Sequence, residues 1–468
     1  MSLTFLFLWA RVGRQSHSNS VTVSRGYGLL SRTDYRAHAG ERKLKISSCV
    51  RLVASLIGVV GVMVSGCQES AREENGQGPQ RVSQGPPGKV ATVQPIDEAG
   101  PTLRLSEFAP ATKLRTESHL LTHASQPVVD VHSHLWFRTK RTPEELDEFV
   151  KLMDRNHISV VISLDARLGD RIDEHLKLLW TDYKDRFAAF TNINWQGEGQ
   201  EDDPASWDCQ REDFAHRMVL GLEDAAARGI SGVKVFKAFG LKYRNPDGSL
   251  IAIDDVRFDP IWEACGRLGL PILIHTADPS AFFDPIDSKN ERIEELSRHP
   301  DWHFPADRFP RREELHAARE RLFARHRGTT FIAAHLGNDG EDLKETARML
   351  EEHPNVVVEF ASRISELGRQ PYTARDFLVA YQDRVLFGTD GPWPEARYHL
   401  YWRFLETRDE YFPYSEYPVP PQGFWQIYGV DLPPPVLEKI YHGNAARIIP
   451  GIRERLEKNT SSGEFGER

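Results

Sequence analysis

Short apolar runs alternate with longer amphipathic segments along most of the chain. Several of the apolar runs are nearly continuous Val, Ile, Leu and Phe, which is typical of parallel strands covered on both faces. In the segments between them, apolar residues recur at helical spacing. The pattern predicts eight strands, at residues 128–134, 158–165, 187–194, 232–238, 270–275, 330–335, 356–360 and 385–390.

The first predicted helix has the clearest start signal. Thr142 stands at the N-cap, Pro143 at the first helical position and Glu145 at N3, so a capping box is expected there. The predicted helices cover residues 142–156, 171–183, 212–228, 259–268, 311–327, 341–352 and 373–381.

Alternating strands and helices imply right-handed crossovers and a parallel sheet. Eight repeats predict a (β/α)8 TIM barrel over residues 127–451, with long loops after strands 5 and 8 (residues 276–310 and 391–434). The second of these loops is rich in aromatic residues, which suit either a lid or a satellite core. A doubly wound open sheet is the alternative fold, but no glycine-rich phosphate-binding turn follows the first strand.

The chain before the barrel has the pattern of a secretory leader. A basic patch precedes the apolar run 52–66, which is shorter than the about 20 residues that a spanning helix needs. Because the segment ending at Cys67 resembles a bacterial lipobox, residues 1–67 are predicted to be a lipoprotein-type leader with Cys67 as the lipidated residue. The alternatives are a buried strand or an uncleaved anchor. An exported, membrane-anchored lipoprotein is therefore expected, in the periplasm or outside the cell.

Two further segments have polar compositions. Residues 68–126 are predicted to form a flexible tether and lead-in, because their first part is rich in Gly, Pro, Gln and Glu and almost free of apolar residues. Residues 452–468 are predicted to be a polar C-terminal tail.

The formal net charge of -9 gives no basic footprint for nucleic acid, so the expected partners are a small-molecule substrate and, through the lipid anchor, a membrane. The pattern indicates no particular oligomeric state. Cys209 and Cys265 are predicted to be free buried thiols.

Polar residues stand at the ends of four predicted strands. His132 and His134 close the first strand, and residues i and i+2 of a strand share a face. His275 ends the fifth strand, His335 the sixth and Asp390 the eighth. In a barrel the carboxyl ends of the strands meet at one mouth, so these side chains predict a shared metal site.

At these residues the chain resembles the amidohydrolase superfamily. The closest resemblance is to its amidohydrolase-related (type 2) branch, which includes aminocarboxymuconate-semialdehyde decarboxylase-like metal-dependent hydrolases. The matching segments lie between residues 127 and 451 and comprise Asp130-Val-His-Ser-His134, Ile274-His275, Ala334-His335-Leu-Gly, Phe387-Gly-Thr-Asp390 and Lys439–Arg447. In the last segment, Gly443 is expected to end one helix and Asn444 to cap the next.

The resemblance implies a role for each residue of the site. His132, His134 and His275 would be nitrogen ligands of one divalent metal, and Asp390 a carboxylate ligand that also moves a proton. His335 would sit beside the metal, polarising the substrate or taking a proton. Zinc suits this donor set, with iron or manganese as alternatives.

Some relatives hold two metals through a carboxylated lysine on the fourth strand. In that alternative, Lys234 would bridge the metals, and His275 and His335 would hold the second one. Otherwise Lys234 is a buried or rim lysine paired with a carboxylate. Strand alternation places Lys234 and Lys237 on opposite faces, so at most one of them should point into the barrel.

The function expected from the resemblance is metal-dependent hydrolysis of an amide, ester or lactone bond by metal-activated water. A non-oxidative decarboxylase that acts on an unsaturated or aromatic acid is the first alternative, and a non-catalytic binding lipoprotein is the second. Lys237 and Arg363 are candidate substrate contacts. Arg363 suits a substrate carboxylate or a surface salt bridge, and Arg138 and Arg292 are similar candidates.

Overall fold

A computed structural model describes residues 104, 107, 111–138, 141–169 and 171–461, without the side chains of the last two. The predicted leader with Cys67, most of the tether and the end of the C-terminal tail lie outside the described residues. None of the described helices is both long and apolar enough to cross a membrane.

Eight parallel strands pair in sequence order and form a (β/α)8 barrel, as predicted. The strands are β1 (Val128–Ser133), β2 (Ile158–Arg167), β3 (Phe187–Asn192), β4 (Gly232–Val235), β5 (Ile272–Ile274), β6 (Phe331–Ala333), β7 (Val356–Glu359) and β8 (Val385–Leu386). The segment after β8 returns to β1, because Val131 N donates to Phe387 O at 3.0 Å and His134 N donates to Gly391 O at 2.7 Å. These bonds bring the first and last strands together.

Helices cover the outside of the barrel, and each predicted helix is present with small differences at its ends. Early helices are α1 (Pro143–Arg155), α2 (Arg171–Trp180), α3 (Phe214–Ala227), α4 (Ala238–Leu241), α5 (Asp259–Leu268), α6 (Ile293–Arg298) and α7 (Arg312–Arg325). Later ones are α8 (Leu343–Glu352), α9 (Ile364–Arg369), α10 (Pro371–Ala380), α11 (Glu395–Glu406), α12 (Pro434–Glu438), α13 (Asn444–Ile448) and α14 (Ile452–Ser461). The capping box of α1 forms as expected, with Thr142 and Glu145 bonding to each other's backbone N–H.

The C-terminal helices close the end of the barrel opposite the strand-end residues. Ala445, Ile449 and Ile452 join a cluster of buried apolar residues contributed by the strands. The Asn459 side chain donates to the backbone of Ser159 beside the start of β2. The first part of the segment predicted as a polar tail is therefore a helix packed on the barrel.

The helical ending near Gly443 differs from the expectation. Lys439–Gly443 form a π-helical turn that runs directly from α12 into α13, so Gly443 ends no helix. Asn444 has helical dihedral angles and caps nothing. Its buried side chain instead donates to Gln382 O and Val385 O, at 2.7 and 2.8 Å, and ties α13 to β8.

The long loop after β8 contains α11 and a two-stranded hairpin of β9 (Phe412–Pro413) and β10 (Gln426–Ile427). Tyr398, Tyr401 and Trp402 of α11 are buried. Tyr401 and Trp402 pack against Phe387 and Tyr398 stacks on Trp402, so much of this aromatic segment forms a satellite core. Trp393 stays partly exposed near the mouth.

Arg292 in the long loop after β5 is a structural residue rather than a substrate contact. Its buried guanidinium pairs with Glu295 at 2.9 Å and with Glu366 on α9. The pair joins the loop after β5 to the segment after β7. Cys209 and Cys265 are free and buried, as predicted.

The last part of the predicted tether and lead-in contacts the barrel. His119 N donates to the Asp409 carboxylate at 2.7 Å, and Ser125 N donates to Glu406 at 3.0 Å. This segment therefore lies along the C-terminal end of α11.

Candidate metal centre

The ends of β1, β6 and β8 bring imidazole and carboxylate groups together. Asp390 Oδ1 lies 3.8 Å from His132 Nε2 and 3.6 Å from His134 Nε2. One ligand atom each from His132, His335 and Asp390 lies within 4.8 Å of the other two. Residues 132 and 134 thus share a face of the strand end, as the i, i+2 spacing predicts.

Two of these residues occupy left-handed backbone conformations in the turns that follow their strands. The φ angle is 58° at His335 and 61° at Asp390. Non-glycine residues in this region are strained, and such strain concentrates at functional sites. The turns let both side chains leave the strand direction and reach the barrel mouth.

Each of three histidine rings is held through Nδ1. His132 Nδ1 contacts Glu359 Oε1 at 2.8 Å, and His134 Nδ1 contacts Asp165 Oδ1 at 2.8 Å. His335 Nδ1 lies 2.8 Å from the backbone oxygen of Ala361, which can only accept a hydrogen bond. Because Nδ1 carries the proton in each of these pairs, Nε2 is left with its lone pair.

Glu359 and Asp165 are site residues that were not identified from the sequence. Glu359 is fully buried, and it ends the apolar run Val356-Val-Val of β7. Asp165 is the only acidic residue of strand β2, and its side chain is also buried. The available signal was a single acidic residue in a buried strand, because a buried carboxylate needs a partner.

His275 lies beside the cluster, with its ring 4.5 Å from the ring of His335. Its Nε2 atom is buried, has no hydrogen-bond partner among the described residues, and lies 3.4 Å from Asp278 Oδ1. His275 is thus close to the other histidines, but it is not one of the three residues whose ligand atoms all lie within 4.8 Å of one another.

Burial keeps His132, His275 and His335 neutral. It lowers the pKa of His132 and His335 well below the usual value and lowers the pKa of His275 to about 4. Burial acts to raise the pKa of the Asp390 carboxyl, but His132, Arg138 and His134 outweigh it and the pKa falls. At neutral pH the cluster therefore offers lone pairs on neutral rings and an ionised carboxylate, the forms that bind metals.

The two lysines of the fourth strand region have different surroundings. Lys234 is buried inside the barrel with Nζ 3.5 Å from His132 Nε2, and burial lowers its pKa to about 8. Lys237 lies beyond the end of β4, and its Nζ pairs with Asp278 Oδ2 at 2.5 Å. Only Lys234 points into the barrel from the strand itself, in line with the alternation.

Arg363 and Arg138, the other two arginines considered as substrate contacts, differ in how they are placed. Arg363 is buried, and it donates to Asn338 Oδ1 at 2.6 Å and to Ser362 O at 3.0 Å, so it is not a surface salt bridge. Arg138 Nη2 lies 3.6 Å from Asp390 Oδ1, and its guanidinium stacks 4.0 Å from the centre of the Trp393 ring.

The residues at the mouth fit a transition-metal ion. They combine neutral imidazole nitrogens with one carboxylate. Two of the imidazoles also donate an Nδ1 hydrogen bond to a second carboxylate on the side away from the mouth, as metal-binding histidines usually do. The buried Nε2 of His275, which has no hydrogen-bond partner among the described residues, is a further nitrogen that could bind the ion. The donor set suits zinc and also iron or manganese.

The barrel is similar in shape to several solved structures. An uncharacterised TIM-barrel protein from Bordetella bronchiseptica is 15% identical, with a TM-score of 0.41 over 71% of this chain and 99% of that one. 2,6-Dihydroxybenzoate decarboxylase from Rhizobium is 18% identical, with a TM-score of 0.41 over 69% and 98%. An amidohydrolase from Burkholderia multivorans is 15% identical, with a TM-score of 0.39 over 69% and 98%.

No curated protein matches the chain significantly. The model of one protein family, described as amidohydrolase, matches residues 129–451. The match covers the barrel from the first strand to the turn before α14, and it includes the strand-end histidines and Asp390. Members of this family are metal-dependent enzymes. The chain belongs to the amidohydrolase family.

Proposed function

We propose that this protein is a metal-dependent hydrolase that cleaves an amide, ester or lactone bond. One observation carries the proposal: Asp390 Oδ1 lies 3.6–3.8 Å from the Nε2 atoms of His134 and His132, all at one barrel mouth. His132, His134, His275 and Asp390 would hold the metal. When bound, a divalent metal lowers the pKa of a water molecule and supplies a nucleophile near neutral pH.

The ionised carboxylate of Asp390 is the proton acceptor of the reaction. Its Oδ2 accepts a hydrogen bond from Ser362 Oγ at 3.2 Å, which fixes the orientation of the carboxylate. Asp390 takes a proton from water and returns it to the leaving group, which is general base and then general acid catalysis.

His335 has a narrower role than the sequence suggests. Its Nδ1 donates to the backbone oxygen of Ala361, so the neutral ring presents only a lone pair at Nε2. A lone pair can take a proton or bind a metal, but it cannot donate to a developing oxyanion. His335 therefore acts as a second proton acceptor or a further ligand rather than as a hydrogen-bond donor to the substrate.

Non-oxidative decarboxylation is the second candidate, and one observation favours it. The Arg138 guanidinium lies 3.6 Å from Asp390 and stacks on Trp393. A cation and an aromatic ring therefore lie next to the Asp390 carboxylate. The carboxylate of an acid substrate would find a charge partner in Arg138.

One experiment separates these functions. The purified protein is loaded with Zn²⁺ or Mn²⁺, analysed for bound metal, and assayed on a panel of lactones, esters, amides and aromatic carboxylic acids. Hydrolysis in H₂¹⁸O places the label in the product, whereas a decarboxylase releases CO₂ without consuming water. Turnover with ¹⁸O incorporation is expected. Metal binding without turnover of any substrate on the panel would contradict both enzymatic functions and favour the non-catalytic binding lipoprotein.

We also propose that the protein is exported and anchored through a lipid on Cys67. The basic, apolar and small-residue segments that end at this cysteine support the proposal. Cys67→Ser should move the protein from the membrane fraction to the soluble fraction, with Cys209→Ser as the matched control. Unchanged partitioning of the Cys67→Ser protein would contradict the anchor.

A further inference from the structure

The fully buried carboxylate of Glu359 contacts two histidines of the candidate centre at the same time. Its Oε1 accepts from the His132 ring at 2.8 Å and from the backbone N–H of His335 at 2.9 Å. Its Oε2 accepts from the backbone N–H of Ala361 at 2.5 Å. The Glu359 side chain therefore accepts hydrogen bonds from three N–H groups, which lie at the ends of β1 and β6 and in the turn after β7.

We propose that Glu359 is a positioning residue that sets the orientation of both His132 and His335 for the metal. The inference rests on the proposed metal-dependent function and adds a residue that determines the metal affinity. On His132, the carboxylate keeps the proton at Nδ1, so that the Nε2 lone pair faces Asp390. On His335, it holds the backbone N–H while φ stays at 58°.

A simpler explanation is that Glu359 only balances the charge of the buried Lys234. The Glu359 carboxylate does attract the Lys234 ammonium. No ion pair within 4.0 Å joins Lys234 to any described carboxylate, however, so this attraction does not account for the hydrogen bonds of Glu359. The Lys234 ammonium instead lies 3.5 Å from His132 Nε2 and 5.3 Å from the Phe236 ring centre. The hydrogen bonds of Glu359 are thus directed to the two histidine segments and to its own turn.

The glycine of the Phe387-Gly-Thr-Asp390 segment supports the same role. A Cβ atom added at Gly388 would lie 2.8 Å from Glu359 Oε2 and 3.1 Å from His132 Cβ. Real Cβ atoms essentially never approach a heavy atom as closely as the first of these distances. Gly388 therefore leaves the space in which the Glu359–His132 pair is held, and a methyl group there would displace the carboxylate without removing its charge.

The test measures metal affinity and not only activity. Zn²⁺ affinity is determined by competition with a chromophoric chelator, and the Co²⁺-substituted protein is examined by visible absorption. Glu359→Gln should weaken Zn²⁺ binding by about 10–100-fold, the usual effect of removing a residue behind a metal ligand. Its Co²⁺ absorption bands should also change in intensity, because the ring of His132 is no longer fixed.

Two further variants keep the test decisive. Gly388→Ala retains the Glu359 carboxylate but should also weaken Zn²⁺ binding, and it serves if Glu359→Gln does not fold. Glu366→Gln removes another fully buried carboxylate, one bonded to Arg292 outside the centre. It should lower thermal stability and leave Zn²⁺ affinity and the Co²⁺ spectrum unchanged.

The outcomes separate this inference from the proposed function. If the wild-type protein binds no metal, the proposed function and the positioning role both fail. In the other contrary outcome, the wild type binds Zn²⁺ while Glu359→Gln binds it with the same affinity and gives the same Co²⁺ spectrum. That result would overturn the positioning role alone, and Gly388→Ala provides the comparison where Glu359→Gln does not fold.

Discussion

The Asp130 carboxylate on β1 accepts two hydrogen bonds from Thr389, one from the backbone N–H at 3.1 Å and one from the hydroxyl at 2.5 Å. Asp130 also accepts from the backbone N–H of His132 at 3.1 Å. Thr389 immediately precedes Asp390. This pair therefore fixes the distance between the two segments that carry His132 and Asp390, although they are far apart in the sequence.

His132→Ala should remove most of the bound metal and all turnover. Replacing a residue behind a metal ligand usually weakens metal affinity by about 10–100-fold, and replacing a direct ligand should weaken it more. Metal content after dialysis and the rate with saturating metal check this. His216 is exposed on α3, so His216→Ala is the matched control. An active His132→Ala protein with a full metal complement would rule out the ligand role.

Asp390→Asn should keep the fold and lose the proton transfer. The amide retains an oxygen that can face the metal but cannot accept the proton, and general base catalysis contributes about 10²–10⁴-fold. We expect the turnover rate to fall within this range while the circular dichroism spectrum stays unchanged. Ser362→Ala, which removes only the hydrogen bond to Oδ2, should cost far less. A rate near that of the wild type in Asp390→Asn would mean that another group is the base.

Arg292→Met should lower the free energy of unfolding by about 3–5 kcal/mol, the usual cost of breaking a buried ion pair from one side. Glu366, and to a lesser degree Glu295, would be left buried without their cation. Denaturant unfolding monitored by tryptophan fluorescence measures the change. In the double variant Arg292→Met with Glu366→Gln, much of the loss should be recovered. Equal stability of the single variant and the wild type would show that the pair contributes nothing.

The contact between His119 and Asp409 should make the attachment of the lead-in segment depend on pH. The His119 ring lies 2.6 Å from the Asp409 carboxylate, and this hydrogen bond raises the pKa of His119 above its usual 6.5. The folded pKa is the higher one, so the stabilisation is complete below pH 6.5 and is lost as the pH rises through the raised value.

Hydrogen exchange of residues 116–122, corrected for the intrinsic effect of pH, checks this prediction. Protection should fall as the pH rises above 6.5 in the wild type and change little in His119→Gln. The same pH profile in both proteins would show that His119 does not control the segment.

The sequence by itself determined the eight strands, the main helices and the strand-end positions of His132, His134, His275, His335 and Asp390. These features follow from periodicities of two and 3.6 residues and from local start signals such as Thr142, all of which act over short stretches of chain. The convergence of strand ends then follows from the barrel itself. The lipid anchor at Cys67 stays a prediction.

Only the tertiary structure decided which side chains hold the site. Glu359 is 227 positions from His132, and Arg292 is 74 positions from Glu366, and no local pattern encodes such contacts. Asn444 reads locally as a helix cap, yet a buried strand end offers its side chain two carbonyl acceptors. The physical reason is that backbone periodicity is set by neighbours in the sequence, whereas a buried polar group takes whichever partner the packed strands and loops bring within hydrogen-bond distance.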